Sequence, residues 1–255
     1  MKPFRLIGVV HLKPLPGSPR HSHSISAIVK AAVTDALAYE RGGADAVCIE
    51  NFGDVPFTKG SVSPETISAM AVCGQAVREA VMIPIGFNVL RNDPRAGLGL
   101  CAACNGSFIR VNVHTGAMLT DQGMIEGDAF NTLRVRSSLA PSVKILADIH
   151  VKHATVIGDQ SIEEAAKDTI QRGLADALIV SGTGTGAKVD PGDLQRARAA
   201  CPDAPIYLGS GVTAANVSQF DQHATGYIVG SSLKRGGRLD APVDVRRVAK
   251  LVGQL

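Results

Sequence analysis

An α/β fold closed into a (β/α)8 TIM barrel is the architecture this sequence predicts, and three observations predict it. Eight short apolar, β-branched runs recur along the chain; helical patterns with recognisable starts separate them; and carboxylates, amides and imidazoles gather at the C-terminal ends of the runs. With 255 residues the chain has the length of one such barrel, so a single domain over 1–255 is expected.

The runs are "RLIGVV", "DAVCIE", "PIGFNV", "SFIRVN", "KILADI", "DALIVS", "PIYLGS" and "GYIVGS". Each is almost continuously apolar, as strands of a parallel sheet covered on both faces must be. Between them, Ser63 before Pro64, Asp93 before Pro94 and Asp190 before Pro191 each set a capping side chain ahead of proline at the first helical position. Ser161 with Glu164 has the spacing of a capping box, and Gly173 is placed to stop that helix before "ADALIV". Strand and helix alternate throughout, which right-handed crossovers turn into an open doubly wound sheet or a closed barrel. Eight units favour closure. The open sheet has one supporter, "SGTGTGA", where Gly182, Gly184 and Ala187 match a dinucleotide fingerprint. The next helix starts only at Asp190 and Pro191, and Asp203 precedes its strand, so the glycines read as a loop after strand six.

Composition narrows the functions. Hydrophobic residues make up 45% of the chain and charged ones 19%, which is globular. The net charge is +3, and apart from Lys234, Arg235 and Arg238 the basic residues are scattered. No stripe suits a nucleic-acid backbone, and small anions are the expected partners. Five cysteines, and an N-terminal apolar run that is short and ends at His11, point to a reducing cytoplasm. No apolar stretch nears the roughly 20 residues of a membrane-spanning helix, although peripheral membrane association stays open. Cys101 and Cys104 sit in a small-residue helix without a second cysteine pair, which argues against a zinc or redox site.

Barrels of this type carry their chemistry at the strand C-termini. His11 ends strand one, Glu50 and Asn51 end strand two, and Asn88 lies late in strand three. Arg110 and Asn112 lie in strand four, and Asp148 and His150 end strand five. A period of two places Arg110 with Asn112, and Asp148 with His150, on one face each. Asp148, His150 and Glu50 are therefore the candidate general acid/base groups. His11, Asn88, Arg110, Asn112, His114, Lys152 and Ser181 are candidate substrate contacts. A second role for Arg110 is equally open, as a buried partner of Glu50 that holds the barrel top together. A divalent metal on Glu50, Asp148, His150 and His11 is another alternative, though the spacing is irregular and no cofactor is predicted.

Gly209, Ser210 and Gly211 follow strand seven, with Thr213 a candidate helix cap; Gly230 and Ser231 follow strand eight. Glycines let a backbone approach a phosphate, and paired loops after strands seven and eight are where this fold binds one. The phosphate-binding type of barrel is thus expected. No lysine lies in strand six or seven to form a Schiff base, which leaves Lys152 just beyond strand five. Long segments after strands one, two and four carry His21 and His23, Phe52 and Phe57, and His114, Asp121 and Gln122. Segments of that length cover a site or a partner subunit.

The segments "GVVHLKPLPGSP", "ADAVCIENFGDVPF", "NVLRNDPRAGL", "FIRVNVHTGAMLTDQGMIEG", "KILADIHVKHA", "LGSGVTAANV" and "IVGSSLKRGG" resemble the BtpA/SgcQ family over nearly the whole chain. The resemblance implies the same phosphate-binding-type barrel. For function it implies two directions: a link to photosystem I accumulation at membranes, and a neighbourhood of sugar-metabolism genes. The expectations are therefore an enzyme acting on a phosphorylated sugar or nucleotide-like molecule, or a non-catalytic assembly factor for a membrane complex. A homo-oligomer is the default for such a barrel.

Overall fold

A computed structural model describes residues 3–182 and 190–255. The "SGTGTGA" loop, with Gly184 and Ala187, lies largely outside them.

All eight apolar runs form strands, and they close. In chain order the barrel strands are β1 (Leu6–His11), β2 (Ala46–Glu50), β3 (Ile85–Asn88), β4 (Phe108–Val111), β7 (Lys144–Ile149), β9 (Ala177–Val180), β10 (Ile206–Leu208) and β11 (Gly226–Val229). They pair β1-β11-β10-β9-β7-β4-β3-β2 around a closed ring, and every pairing is parallel. The (β/α)8 expectation holds. Three short strands, β5 (Ala117–Thr120), β6 (Gly123–Glu126) and β8 (Ala154–Val156), form a separate antiparallel sheet from the segments after β4 and β7.

The helices begin where their caps indicate. α2 (Pro64–Ala80), α3 (Pro94–Cys104) and α6 (Pro191–Ala200) each start on proline. Asp93 and Asp190 accept a first-turn amide, whereas the Ser63 hydroxyl meets Thr66 instead. α5 (Ile162–Lys167) has the Ser161–Glu164 capping box, then widens into a π turn over Asp168–Arg172 that ends at Gly173. One expected helix is missing: Thr213 caps nothing longer than a 3-10 turn at Val217–Gln219. Asn216 explains this, because its amide donates to Gly211 O while its oxygen accepts from Thr213 N and Oγ1, folding the segment back on itself. The chain after β11 likewise runs through a 3-10 turn, Ser231–Leu233, before α7 (Val245–Val252).

Two apolar layers hold the fold. The larger packs α1 (Ile25–Arg41) and the other helices on the barrel's outer face. Tyr39 of α1 lies against Gly8 so closely that a Cβ there would fall 2.2 Å from its ring, and its hydroxyl donates to Val9 O. The smaller layer fills the barrel interior with Ile7, Val9, Ala46, Cys48, Phe108, Leu146, Ala177, Ile179, Tyr207 and Ile228. Cys101 and Cys104 are free and buried in α3, as the absence of a second pair implied.

Candidate active site

Strand alternation sets the site directly above that interior layer. Two residues beyond Val9, Cys48, Leu146, Ile179 and Ile228 on their strands come His11, Glu50, Asp148, Ser181 and Gly230. Arg110 stands two beyond Phe108, and Asn88 pairs in register with Glu50. The barrel changes from hydrocarbon to polar within one layer.

The centre of that layer is a buried charge cluster. Arg110 grips Asp148 with two parallel bonds, Nε to Oδ2 at 2.9 Å and Nη2 to Oδ1 at 3.0 Å, and gives Nη1 to Glu50 Oε1 at 3.3 Å. Asn112 and Ser181 also donate to Asp148, both at 3.0 Å, and Asn88 donates to Glu50 Oε1 at 3.1 Å. Burial disfavours the Arg110 charge, but the two carboxylates outweigh it and raise its pKa further. Burial likewise opposes the Glu50 charge, and Arg110, then His11 and Lys152, overcome it and lower that pKa below the usual range. His11 lies 4.0 Å from Glu50 Oε2, yet burial brings its pKa down to about 4, so the ring is neutral at pH 7. Its ring packs at a tilt of 41° against Phe52, ring centres 4.5 Å apart.

Two cavities open from this layer and share Glu50, Arg110 and Lys152. One, of about 150 Å³, is lined by Gly209, Ser210, Gly211, Gly230, Ser231 and His11, so every predicted phosphate-loop residue meets in one place. Gly209 N is committed to Val180 O. The amides of Ser210, Gly211, Gly230, Ser231 and Ser232 have no protein acceptor among the described residues, and the buried Ser210 Oγ and His11 Nδ1 also lack partners. Donors massed without acceptors are what an anion requires. The cavity takes no support from a long helix N-terminus, since only 3-10 turns follow β10 and β11. The other cavity, of about 300 Å³, has Phe52, Val55, Phe57 and Leu90 on one side and Asn88, Arg91, Asp121 and His153 on the other.

Four expectations need correction. His150 does not share a face with Asp148: β7 ends at Ile149, His150 turns with φ 48°, and the charges nearest its ring are Asp193 and Glu163 at the outer helices. Asp148 belongs to the site, but its side chain is fully buried and its oxygens accept four bonds, which leaves it no room to exchange a proton with a ligand. It positions Arg110. His114 is buried away from both cavities, its Nε2 bonded to Gly173 O at 2.8 Å, and burial lowers its pKa. Asn112 reaches the cluster through Asp148, without lining either cavity. Of the four residues considered for a metal, His11, Glu50 and Asp148 share the layer and His150 does not; among the described residues no group of three or more His, Cys, Asp or Glu could hold one.

Arg91 was not foreseen. It is 4% exposed, donates to Lys152 O, and leaves its buried Nε unpartnered. The strand-end rule applied to "NVLRND" would have found it. Lys234, one of three clustered basic residues, is also buried, paired with Asp35 Oδ2 at 3.2 Å.

Residues 2–255 match the BtpA family. The Photosystem I biogenesis protein BtpA of Synechocystis is 44% identical, over 97% of this chain and 86% of that protein. An uncharacterized protein of Thermococcus kodakarensis is 45% identical, over 97% and 93% respectively. Among solved structures, phosphoribosyl anthranilate isomerase from Thermus thermophilus superposes with TM-score 0.58 at 13% identity, covering 98% of this chain and 97% of that one. A tryptophan synthase chain from M. tuberculosis reaches TM-score 0.63 at 17%, covering 99% and 92%. At such identities the likeness is one of fold.

Proposed function

Since this chain belongs to the BtpA family and its own barrel mouth is built as described above, we propose that it is an enzyme acting on a phosphorylated small molecule. The phosphate rests on the Gly209–Gly211 and Gly230–Ser232 loops. The reacting end lies toward Asn88, Phe52 and Phe57. Arg110, fixed by Asp148, is the positive floor between them, and Glu50 carries protons.

The observation that carries this reading is the set of unsatisfied donors facing one small cavity beside an ionised, buried carboxylate. Buried polar groups are ordinarily paired, because each one left alone costs about 1–3 kcal/mol. Ser210 Oγ and His11 Nδ1 are buried without a partner, and residues carrying five amides with no protein acceptor among the described residues line the same cavity. The fold of the solved neighbours is in keeping with it, and both of those neighbours are enzymes by name. A cytoplasmic setting and a homo-oligomer are part of the same proposal. All five cysteines are free and buried, as a reducing compartment allows, and among the described residues no helix is long and apolar enough to cross a membrane.

Calorimetric titration tests the proposal. Inorganic phosphate and triose, pentose and hexose phosphates are expected to bind, at least one of the sugar phosphates about tenfold tighter than its unphosphorylated counterpart, or about 1.4 kcal/mol. Indifference to every phosphate overturns it.

The name of the Synechocystis relative favours a second reading, a non-catalytic factor in assembling a membrane complex. Complementation separates the two. In a strain lacking this protein, Glu50→Gln keeps shape and burial while removing the charge. It is expected to abolish rescue if the mouth does chemistry, whereas an assembly factor keeps full rescue.

A further inference from the structure

Lys152 stands where the two cavities meet. It lines both, with the phosphate loops on one side and Glu50, Phe52 and Phe57 on the other, and its Nζ has no hydrogen-bond partner among the described residues. The main chain around it is pinned. Val151 packs with Val113, Met118 and Ile125 beneath the small sheet, and Lys152 O accepts from Arg91. The side chain is half-buried between the two cavities, and the carboxylates nearest in effect, Glu50 and Asp148, are both bonded to Arg110 instead.

Resting on the phosphorylated-ligand reading above, we infer that Lys152 is a nucleophilic amine, which binds the carbonyl carbon of a short aldehyde or ketone phosphate covalently as an iminium. Three features separate this from a lysine that merely holds phosphate. The amides of the two loops already supply the donors for the anion. The cation nearest in effect to Lys152 is Arg110, so a second fixed charge beside it is repelled. And burial first, then Arg110, lowers the Lys152 pKa against the pull of Glu50 and Asp148. The charged groups around it come from every neighbouring strand: Arg110 from β4, Glu50 from β2, Asp148 from β7 and Arg91 from the turn after β3. An ordinary lysine is free amine in about one molecule in 2,500 at pH 7. Desolvation and a neighbouring cation are the two devices that raise that fraction.

The step balances. Nζ attacks the carbonyl carbon and a C–N bond forms. The Glu50 carboxylate takes one proton from nitrogen and returns it to the carbinolamine oxygen. A second proton, from solvent, lets that oxygen leave as water and the C=N bond close. One amine, one carbonyl and one proton give one iminium and one water. The iminium then acidifies the adjacent carbon, and the Glu50 carboxylate takes the proton from its C–H bond, whose electrons form the C=C bond of a neutral enamine.

Borohydride trapping is the test. The full chain is incubated with dihydroxyacetone phosphate or glycolaldehyde phosphate, reduced, digested and mapped by mass. The expected result is a reduced adduct on the Lys152 peptide at least about tenfold above that on any other lysine, present at pH 7, competed by inorganic phosphate and lost in Lys152→Arg and Lys152→Met. Binding of the same phosphates is titrated in parallel without borohydride. Phosphate binding with no Lys152 adduct overturns the amine and leaves the phosphate reading standing. Neither binding nor adduct overturns both. An adduct spread evenly over surface lysines also overturns the amine.

Discussion

Arg110→Met is expected to lower stability by about 3–5 kcal/mol at pH 7, the range for removing one partner of a buried ion pair. The guanidinium is 2% exposed and makes three bonds to two carboxylates that are themselves 4% and 0% exposed. Without it, Glu50 and Asp148 are left as two negative charges in a dry layer. Methionine fills the volume, so the loss reports charge more than cavity. The sign of the pH dependence follows from Glu50. Its folded pKa is lowered, so its contribution is fully present above the unfolded value of roughly 4.3 and disappears as pH falls through the folded value. In the variant the leading cation is gone and burial dominates, so the carboxyl protonates at higher pH. The gap between wild type and variant is therefore widest near neutrality and narrows as the pH falls through the folded value of Glu50. Urea denaturation at pH 7 and pH 4 measures it. The triple variant Arg110→Met, Glu50→Gln, Asp148→Asn is expected to recover much of the loss, because it removes the uncompensated charges. A single variant as stable as wild type at pH 7 would mean the cluster holds nothing together.

That cluster shows which parts of the structure are written locally in the sequence. Strands of a parallel barrel are buried on both faces, so "KILADI" and its seven counterparts announce themselves as apolar runs. Proline at the first helical position fixes the starts of α2, α3 and α6. Alternation then carries Glu50, Asn88, Arg110 and Asp148 to one level, because each lies in a strand that is ladder-paired up to that residue or close beside it. The same rule fails one residue later. His150 is past the last paired residue of β7, where nothing imposes a period of two, and its left-handed backbone breaks the alternation. Thr213 fails for a different reason, since Asn216 competes for the main chain that a helix would have used. That Phe52, Phe57, Arg91 and His153 meet in one lobe was beyond local reasoning. Its residues come from three separate loops whose approach depends on how those loops fold over the barrel. The division of labour between Asp148 and Glu50 was equally hidden. Both are strand-end acids in sequence, and only the count of donors on each oxygen distinguishes a carboxylate that is used up from one with an oxygen to spare.

Gly230→Asp is expected to weaken phosphate binding by at least about a hundredfold, or about 2.7 kcal/mol, with little change in the folded population. The φ of Gly230 is −119°, so no left-handed backbone demands glycine here. Space does: a Cβ at this position lies 2.7 Å from His11 Cε1 and 3.3 Å from Val9 Cβ. His11 packs against Phe52, so it yields only by disturbing that contact. The added carboxylate then enters a cavity lined with unpaired amides and satisfies them itself, as a tethered anion competing with the free one. Gly211→Ala makes the complementary test by conformation. Its φ of +67° is left-handed, so a side chain strains the turn that aims two free amides, and about a tenfold weaker affinity is expected without any new charge. Gly60→Asp is the control, with the same charge change at a position outside that cavity and nothing within 4 Å of the added Cβ. Calorimetric titration of all three against inorganic phosphate decides the matter. If Gly230→Asp folds and binds phosphate as wild type does, the anion is held elsewhere, and the two loops are ordinary turns that happen to meet.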